Sequence, residues 1–188
     1  MFNFFSRKKE DPVIAGISVD KVTGLITETL EARVEGLAQL RALMALKIAD
    51  GSVSRWCRED DQFLLAFLRA RKYKMSACLD VLLSFNVFWF TNSSIIDGLD
   101  SSAVRKIYEL GFMEQMRGRD AVGNAITILR MRQMDYSKFT GTEMIQLSLY
   151  ITMSLFESED IQLRGVAYVE TMEGFSIMQS IRMQKFLS

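Results

Sequence analysis

Asp60–Arg71 reads DDQFLLAFLRAR, followed by Lys72-Tyr73-Lys74 and a second amphipathic segment, Ser76–Phe90. Phe63, Leu64, Phe67 and Leu68 recur at helical spacing and share one face, with Arg69 and Arg71 off it. Asp60 and Asp61 stand where the positive end of a helix favours acid. Ser76 is placed to cap the next helix, Ala77–Phe90. Its Leu79, Leu82, Leu83, Phe85, Phe88 and Trp89 make it apolar almost all round, so burial on several sides is expected.

Working outward, Asp20–Ala49 is expected to be mostly helical. Its stripe is Val22, Leu25, Ile26, Leu30, Val34, Leu37, Leu40, Met44 and Ile48, weakened at Gly24 and Gly36, so one helix or two fit. Asp50-Gly51-Ser52 is a stop. Asn92-Ser93-Ser94 and Asp97-Gly98 mark a boundary. Beyond it, Ser101 or Ser102 caps a short helix ending near Gly111. Arg117–Asn124 reads as a turn, Ala125–Met131 as a strand and Phe139–Phe156 as a long helix. Gly165–Glu170 reads as a second strand. Strand, crossover helix and strand make a βαβ unit whose two strands are expected to be parallel and buried on both faces. Glu173-Gly174 is a turn, and Phe175–Leu187 is expected to be helical. The divisions are a flexible tail, 1–19, a helical module, 20–95, and an α/β module, 100–188.

Composition excludes more than it selects. The 188 residues carry no net formal charge, and nearly half are hydrophobic. That supports a real core and argues against a nucleic-acid partner. Cys57 and Cys78 are the only cysteines and lack metal-ligand spacing, which fits a reducing cytoplasm. No apolar run is long enough to cross a bilayer. Phe2, Phe4 and Phe5 beside Arg7-Lys8-Lys9 have the chemistry to touch a membrane surface, but a disordered tail is the plainer reading. The twelve methionines, many in the second half, suit an adaptable apolar cavity, though core filler is their commoner role.

The chain has no histidine, which removes the commonest general base and zinc ligand. No phosphate-cradling loop is present, and the acidic pairs sit at helix ends or in polar stretches. No catalytic residue, metal ligand or cofactor is therefore assigned.

The run from Asp60 to Trp89 resembles the N-terminal helical module of the CRAL-TRIO lipid-binding family. The match is carried by Phe63, Leu64, Phe67, Leu68, Arg69, Ala70, Arg71, Lys72 and Tyr73. Asp120, Gly123 and the strand Ile126–Arg130 are similar to a second family stretch. Gly165–Val169 followed by Glu173-Gly174-Phe175-Ser176 is similar to a third. The tocopherol-transfer, retinaldehyde-binding and clavesin branch is the nearer one. Thr171 departs from the pattern, standing where an acidic residue is more usual.

The resemblance implies an α/β fold: a helical module, then a partial CRAL-TRIO lipid-binding domain with a mainly parallel sheet. It implies a non-enzymatic cytoplasmic carrier of one small hydrophobic lipid (a retinoid, tocopherol-like molecule or phospholipid). Peripheral contact with endosomal or other intracellular membranes goes with it. The expected lipid wall is Ile126, Ile128, Leu147, Ile151, Val166, Tyr168 and Phe175. Arg71 matches a position in the family's phosphoinositide-binding cleft, and a surface ion pair is the plainer role for it. Family domains continue past the turn at Gly174, so the chain reads as truncated at its C-terminus. The rival reading is a non-transporting interaction or membrane-surface protein without a complete cavity.

Overall fold

A computed structural model describes residues 14–99, 102–133, 139–176 and 178. The element that organises it is α2, Asp61–Ala70. Asp60 caps it, its carboxylate accepting the Phe63 amide at 3.1 Å while pairing with Arg58. Every residue from Phe63 to Arg69 is buried. Around it pack α1, Leu30–Ala49, and α3, Met75–Thr91. Phe63, Phe67 and Phe85 form an aromatic cluster of edge-on and tilted pairs with ring centroids 4.9–5.7 Å apart. Burying one such side chain stabilises by about 1.5–3 kcal/mol.

The stretch before α1 departs from expectation. Ile17–Val19 (β1) and Ile26–Glu28 (β2) form an antiparallel hairpin, and helix begins only at Leu30. The β-branched residues favour strand, and Asp20 makes the turn by accepting the amides of Val22 and Thr23. Gly24 adopts φ +74°, which the turn requires. Residues 14–19 are thus built into the fold rather than into a tail, with Ile14 in the core. The buried stripe of α1 is Ala32, Gly36, Leu37, Leu40 and Met44, leaving Leu30, Val34 and Ile48 exposed. The tail residues 1–13 lie outside the described residues.

Small residues face the core of α1 because the Tyr73 ring lies against it. After α2 the chain turns through Lys72 and Tyr73, both at positive φ (53° and 59°) without a glycine. The Tyr73 amide reaches back to Leu68 and the Lys72 amide to Arg69, which closes the helix end. A Cβ on Gly36 would sit 2.7 Å from Tyr73 Cε1. Gly36→Ala gains about 1 kcal/mol of helix propensity but meets a buried ring anchored at its hydroxyl, and overpacking costs about 1–3 kcal/mol. The expected net effect is a loss of about 1 kcal/mol, read by urea denaturation; a stabilised variant would show the ring to be free to move.

Helix α3 corrects two expectations. Its N-cap is Lys74, not Ser76, and it buries one stripe, Met75, Cys78, Leu82 and Asn86, not several. Val87 and Phe90 stay exposed, and Arg55 lies over the Phe90 ring. A short α4, Ser93–Ile96, leads to α5, Ser102–Glu109. The alternative cap, Ser101, lies outside the described residues.

The second half is mixed α/β, as its reading required, but the sheet is only partly parallel. Its order is β3 (Met113–Arg119), β4 (Ala125–Arg130), β5 (Val166–Thr171). β4 and β5 are parallel, joined through α6 (Gly141–Phe156) and α7 (Glu159–Arg164). β3 runs antiparallel to β4 and takes part of the expected turn; Asp120–Asn124 is what remains of it, held by the Asp120 carboxylate. MEQMRGR shows no apolar alternation because β3 is an outer strand with Glu114–Arg119 exposed. β5 is not buried on both faces either: Tyr168 and Val169 are 56% and 49% exposed. A capping box between Thr140 and Glu143 opens α6. The expected helix Phe175–Leu187 lies largely outside the described residues.

Candidate functional site

Strand alternation divides the sheet into two faces. Ala125 and Thr127 of β4 are buried, and Leu129 packs with them against the helical side. The register places Val166, Tyr168 and Glu170 beside these three. Ile126 and Ile128 therefore point to the opposite face, beside Ala167 and Val169.

Two cavities flank α6 on the helical side. The first, ≈ 320 Å³, lies between α5, β3, β4 and α6. Val104 and Thr127 lie buried at its bottom, Met113 and Ile151 are half-buried, and Tyr108 and Tyr150 stand exposed at its rim. The second, ≈ 220 Å³, lies between α2, α6, α7 and β5, against Ala66, Leu155, Phe156, Val166 and Tyr168.

The expected lipid-wall residues are thus distributed rather than gathered. Ile151 lines the first cavity, and Val166 and Tyr168 line the second. Leu147 is fully buried in the cluster that holds Val104, Ile107 and Phe112, and Phe175 packs against it. Ile126 and Ile128 border neither cavity. Of the methionines, Met113 borders the first cavity, while Met44, Met75, Met131 and Met144 are core.

Arg71 caps the end of α2 and is exposed, as are Lys72 and Lys74 around the buried Tyr73. No carboxylate among the described residues pairs with Arg71. Arg69, set off the apolar face by its spacing, is instead 2% exposed. It grips Glu28 with two hydrogen bonds of 2.5 and 3.2 Å, and reaches Gln162 at 2.5 Å and Glu159 at 2.9 Å. Glu28 also accepts from Arg33 and from the Tyr73 hydroxyl, at 2.9 and 2.6 Å. Burial by itself pushes the Glu28 carboxyl up, but the Arg69 and Tyr73 hydrogen bonds and the charges of Arg69 and Arg33 outweigh it and hold it below its ordinary value. Burial and the neighbouring carboxylate both push the Tyr73 phenol up. This knot ties β2 and α2 to α7, and so the helical module to the back of the second cavity. One signal of it was legible: FLLAFL has no polar residue, so a helix buried all round must bury the arginine that follows.

Among the described residues, no group of three or more His, Cys, Asp or Glu could hold a metal ion. Cys57 and Cys78 are free thiols, and burial pushes the Cys57 thiol up. No described helix is long and apolar enough to cross a membrane.

Comparison with known proteins agrees with this architecture. The chain is 26% identical over 171 residues to the human protein named alpha-tocopherol transfer protein-like, covering 90% of this chain and 48% of that one. It is 23% identical over 174 residues to rat Clavesin-1, covering 90% and 48%. Its curated homologues are CRAL-TRIO proteins. No protein-family model matches the chain. The chain spans about half the length of the curated relatives it matches. The similarity takes in most of the chain, the α2 segment included.

Proposed function

We propose that the chain binds a small hydrophobic lipid and takes part in its transfer inside the cell, as a carrier rather than an enzyme. A retinoid, a tocopherol-like molecule and a phospholipid all suit the chemistry. The observation that carries the reading is the ≈ 320 Å³ cavity between the sheet and α6. Its volume lies at the lower end of the range for small-molecule sites, about 300–1,000 Å³. Leu99, Val104, Met113 and Ile151 give it apolar walls. Ligand surface removed from water there gains about 25 cal/mol per Å². Ile151 is the expected wall residue on which the reading rests, with Leu147 and Phe175 in the same core cluster behind it, whereas Val166 and Tyr168 belong to the second cavity. The similarity to proteins named for tocopherol transfer supports the same class. Purification of the chain followed by lipid extraction and mass spectrometry tests it. A folded chain with no stoichiometric lipid, and no uptake of retinoid, tocopherol or phospholipid, overturns it.

The same reading gives Arg71, with Lys72 and Lys74, a contact with anionic headgroups at the membrane where lipid is exchanged. A basic side chain near an anionic surface contributes about 1 kcal/mol. Arg71→Ala is expected to weaken binding to phosphoinositide-containing vesicles about fivefold in a sedimentation assay. Unchanged binding would remove Arg71 from the site.

A further inference from the structure

The hydroxyl of Thr127 is out of place in its surroundings. Thr127 is 1% exposed and lies in the central strand of the sheet, between Gln115 of β3 and Tyr168 of β5. Its side chain lines the first cavity. Its Oγ1 is the one buried side-chain oxygen or nitrogen among the described residues without a hydrogen-bond partner. A buried hydroxyl left unpaired is costly, and native interiors rarely keep one. Valine has the same shape and would fill this place without that cost.

The neighbouring hydroxyls show why this one is different. On α6, Ser148, Thr152 and Ser154 donate to the carbonyls of Met144, Ser148 and Tyr150, at 2.8–3.0 Å. A helix offers a hydroxyl the carbonyl four residues back. An extended strand has no carbonyl at that position relative to the side chain, and Thr127 Oγ1 has no partner among the described residues. The cavity that Thr127 lines is the adjoining space from which a ligand atom would reach it.

We infer that the first cavity takes its ligand by one hydroxyl or carbonyl oxygen, set at the bottom against Thr127 Oγ1, with the apolar remainder extending along Ile151 and Met113 toward the rim. This deepens the carrier reading and rests on it. It turns an apolar hole into an oriented site: an alcohol, aldehyde or ketone enters polar end first. Arg105 and Glu109, both exposed, also line the cavity.

The test compares two nearly isosteric probes, 1-octanol and 1-chlorooctane, on the delipidated chain by displacement of a bound environment-sensitive fluorophore. Thr127→Val is expected to weaken 1-octanol about fivefold to tenfold and to leave 1-chlorooctane unchanged or tighter. Thr127→Ser, which keeps the hydroxyl, is expected to restore 1-octanol binding. Thr127→Val should melt no lower than the parent, since it removes an unpaired polar group and keeps the shape. An octanol-to-chlorooctane ratio that is the same in parent and Thr127→Val overturns the inference, as does failure of both probes to bind the parent. Lipid recovered by mass spectrometry in either case leaves the carrier reading standing without the orienting hydroxyl.

Discussion

Glu28→Ala is expected to destabilise the chain by about 3–5 kcal/mol, the loss typical of removing one partner from a buried ion pair. The Glu28 and Arg69 side chains are 2% and 1% exposed. Deleting the carboxylate leaves the guanidinium with Gln162 and Glu159 alone, and the Tyr73 hydroxyl with no acceptor. For a chain of this length the melting temperature should fall by roughly 10 °C. The loss measures the stranded charge more than the worth of the pair. The double variant Glu28→Met with Arg69→Met should therefore recover much of it, since apolar replacement of a buried pair is often neutral. A Glu28→Ala variant within 1 kcal/mol of the parent would mean that the knot is solvated in solution.

The same group sets an acid dependence. The Glu28 carboxyl lies below its ordinary value of 4.5 when folded, despite burial, because of Arg69, Tyr73 and Arg33. A depressed acid stabilises above its unfolded value, and that contribution is lost as pH falls through the folded one. The loss therefore begins below about pH 5 and continues past the ordinary value. Glu28→Gln should show a shallower fall in unfolding free energy than the parent between neutral pH and pH 3. Asp60, held down by Arg58 and by the Phe63 amide, adds to the slope in both proteins.

What the sequence revealed follows from which signals are local. The helices α2, α3 and α6, the parallel pair β4 and β5, and the turns at Gly51 and Gly174 were all legible, because periodicity and turn residues report on their own neighbourhood. β3 was not, since an outer strand owes its place to β4 and needs no apolar alternation. The β1–β2 hairpin reads as helix because Val22, Leu25 and Ile26 continue the stripe that begins α1 at Leu30, and only the Asp20 turn decides against it. The site was half legible. Apolar type alone could not say that Ile126 and Ile128 face away from the side that Ala125 and Thr127 share, because a one-residue shift reverses the faces. Nor does the face formed by Phe63, Leu64, Phe67 and Leu68 separate Arg69 from Arg71, although the unbroken FLLAFL run before Arg69 signals its burial. Two residues apart on one helix end, one closes an internal charge knot and the other reaches water, and the difference is made by Glu28, forty-one positions away from Arg69.

Which cavity holds the lipid is decided by filling each in turn. Ile151→Trp is expected to reduce lipid uptake about 100-fold. The indole would displace about 100 Å² of ligand contact, about 2.5 kcal/mol at the usual coefficient, which is close to two powers of ten. Ile151 is half-buried on α6 and borders the first cavity from its helical wall. The matching change for the second cavity is Ala70→Trp, at the exposed end of α2. It should fill that space from the rim, disturb the core little and leave uptake within about twofold of the parent if the first cavity is the site. The reverse pattern, with Ala70→Trp abolishing uptake and Ile151→Trp sparing it, would move the site to the pocket beneath Val166 and Tyr168. Parallel melting curves separate a filled cavity from a damaged fold: overpacking costs about 1–3 kcal/mol, so a variant that still melts cooperatively but takes up no lipid has lost the space and not the structure.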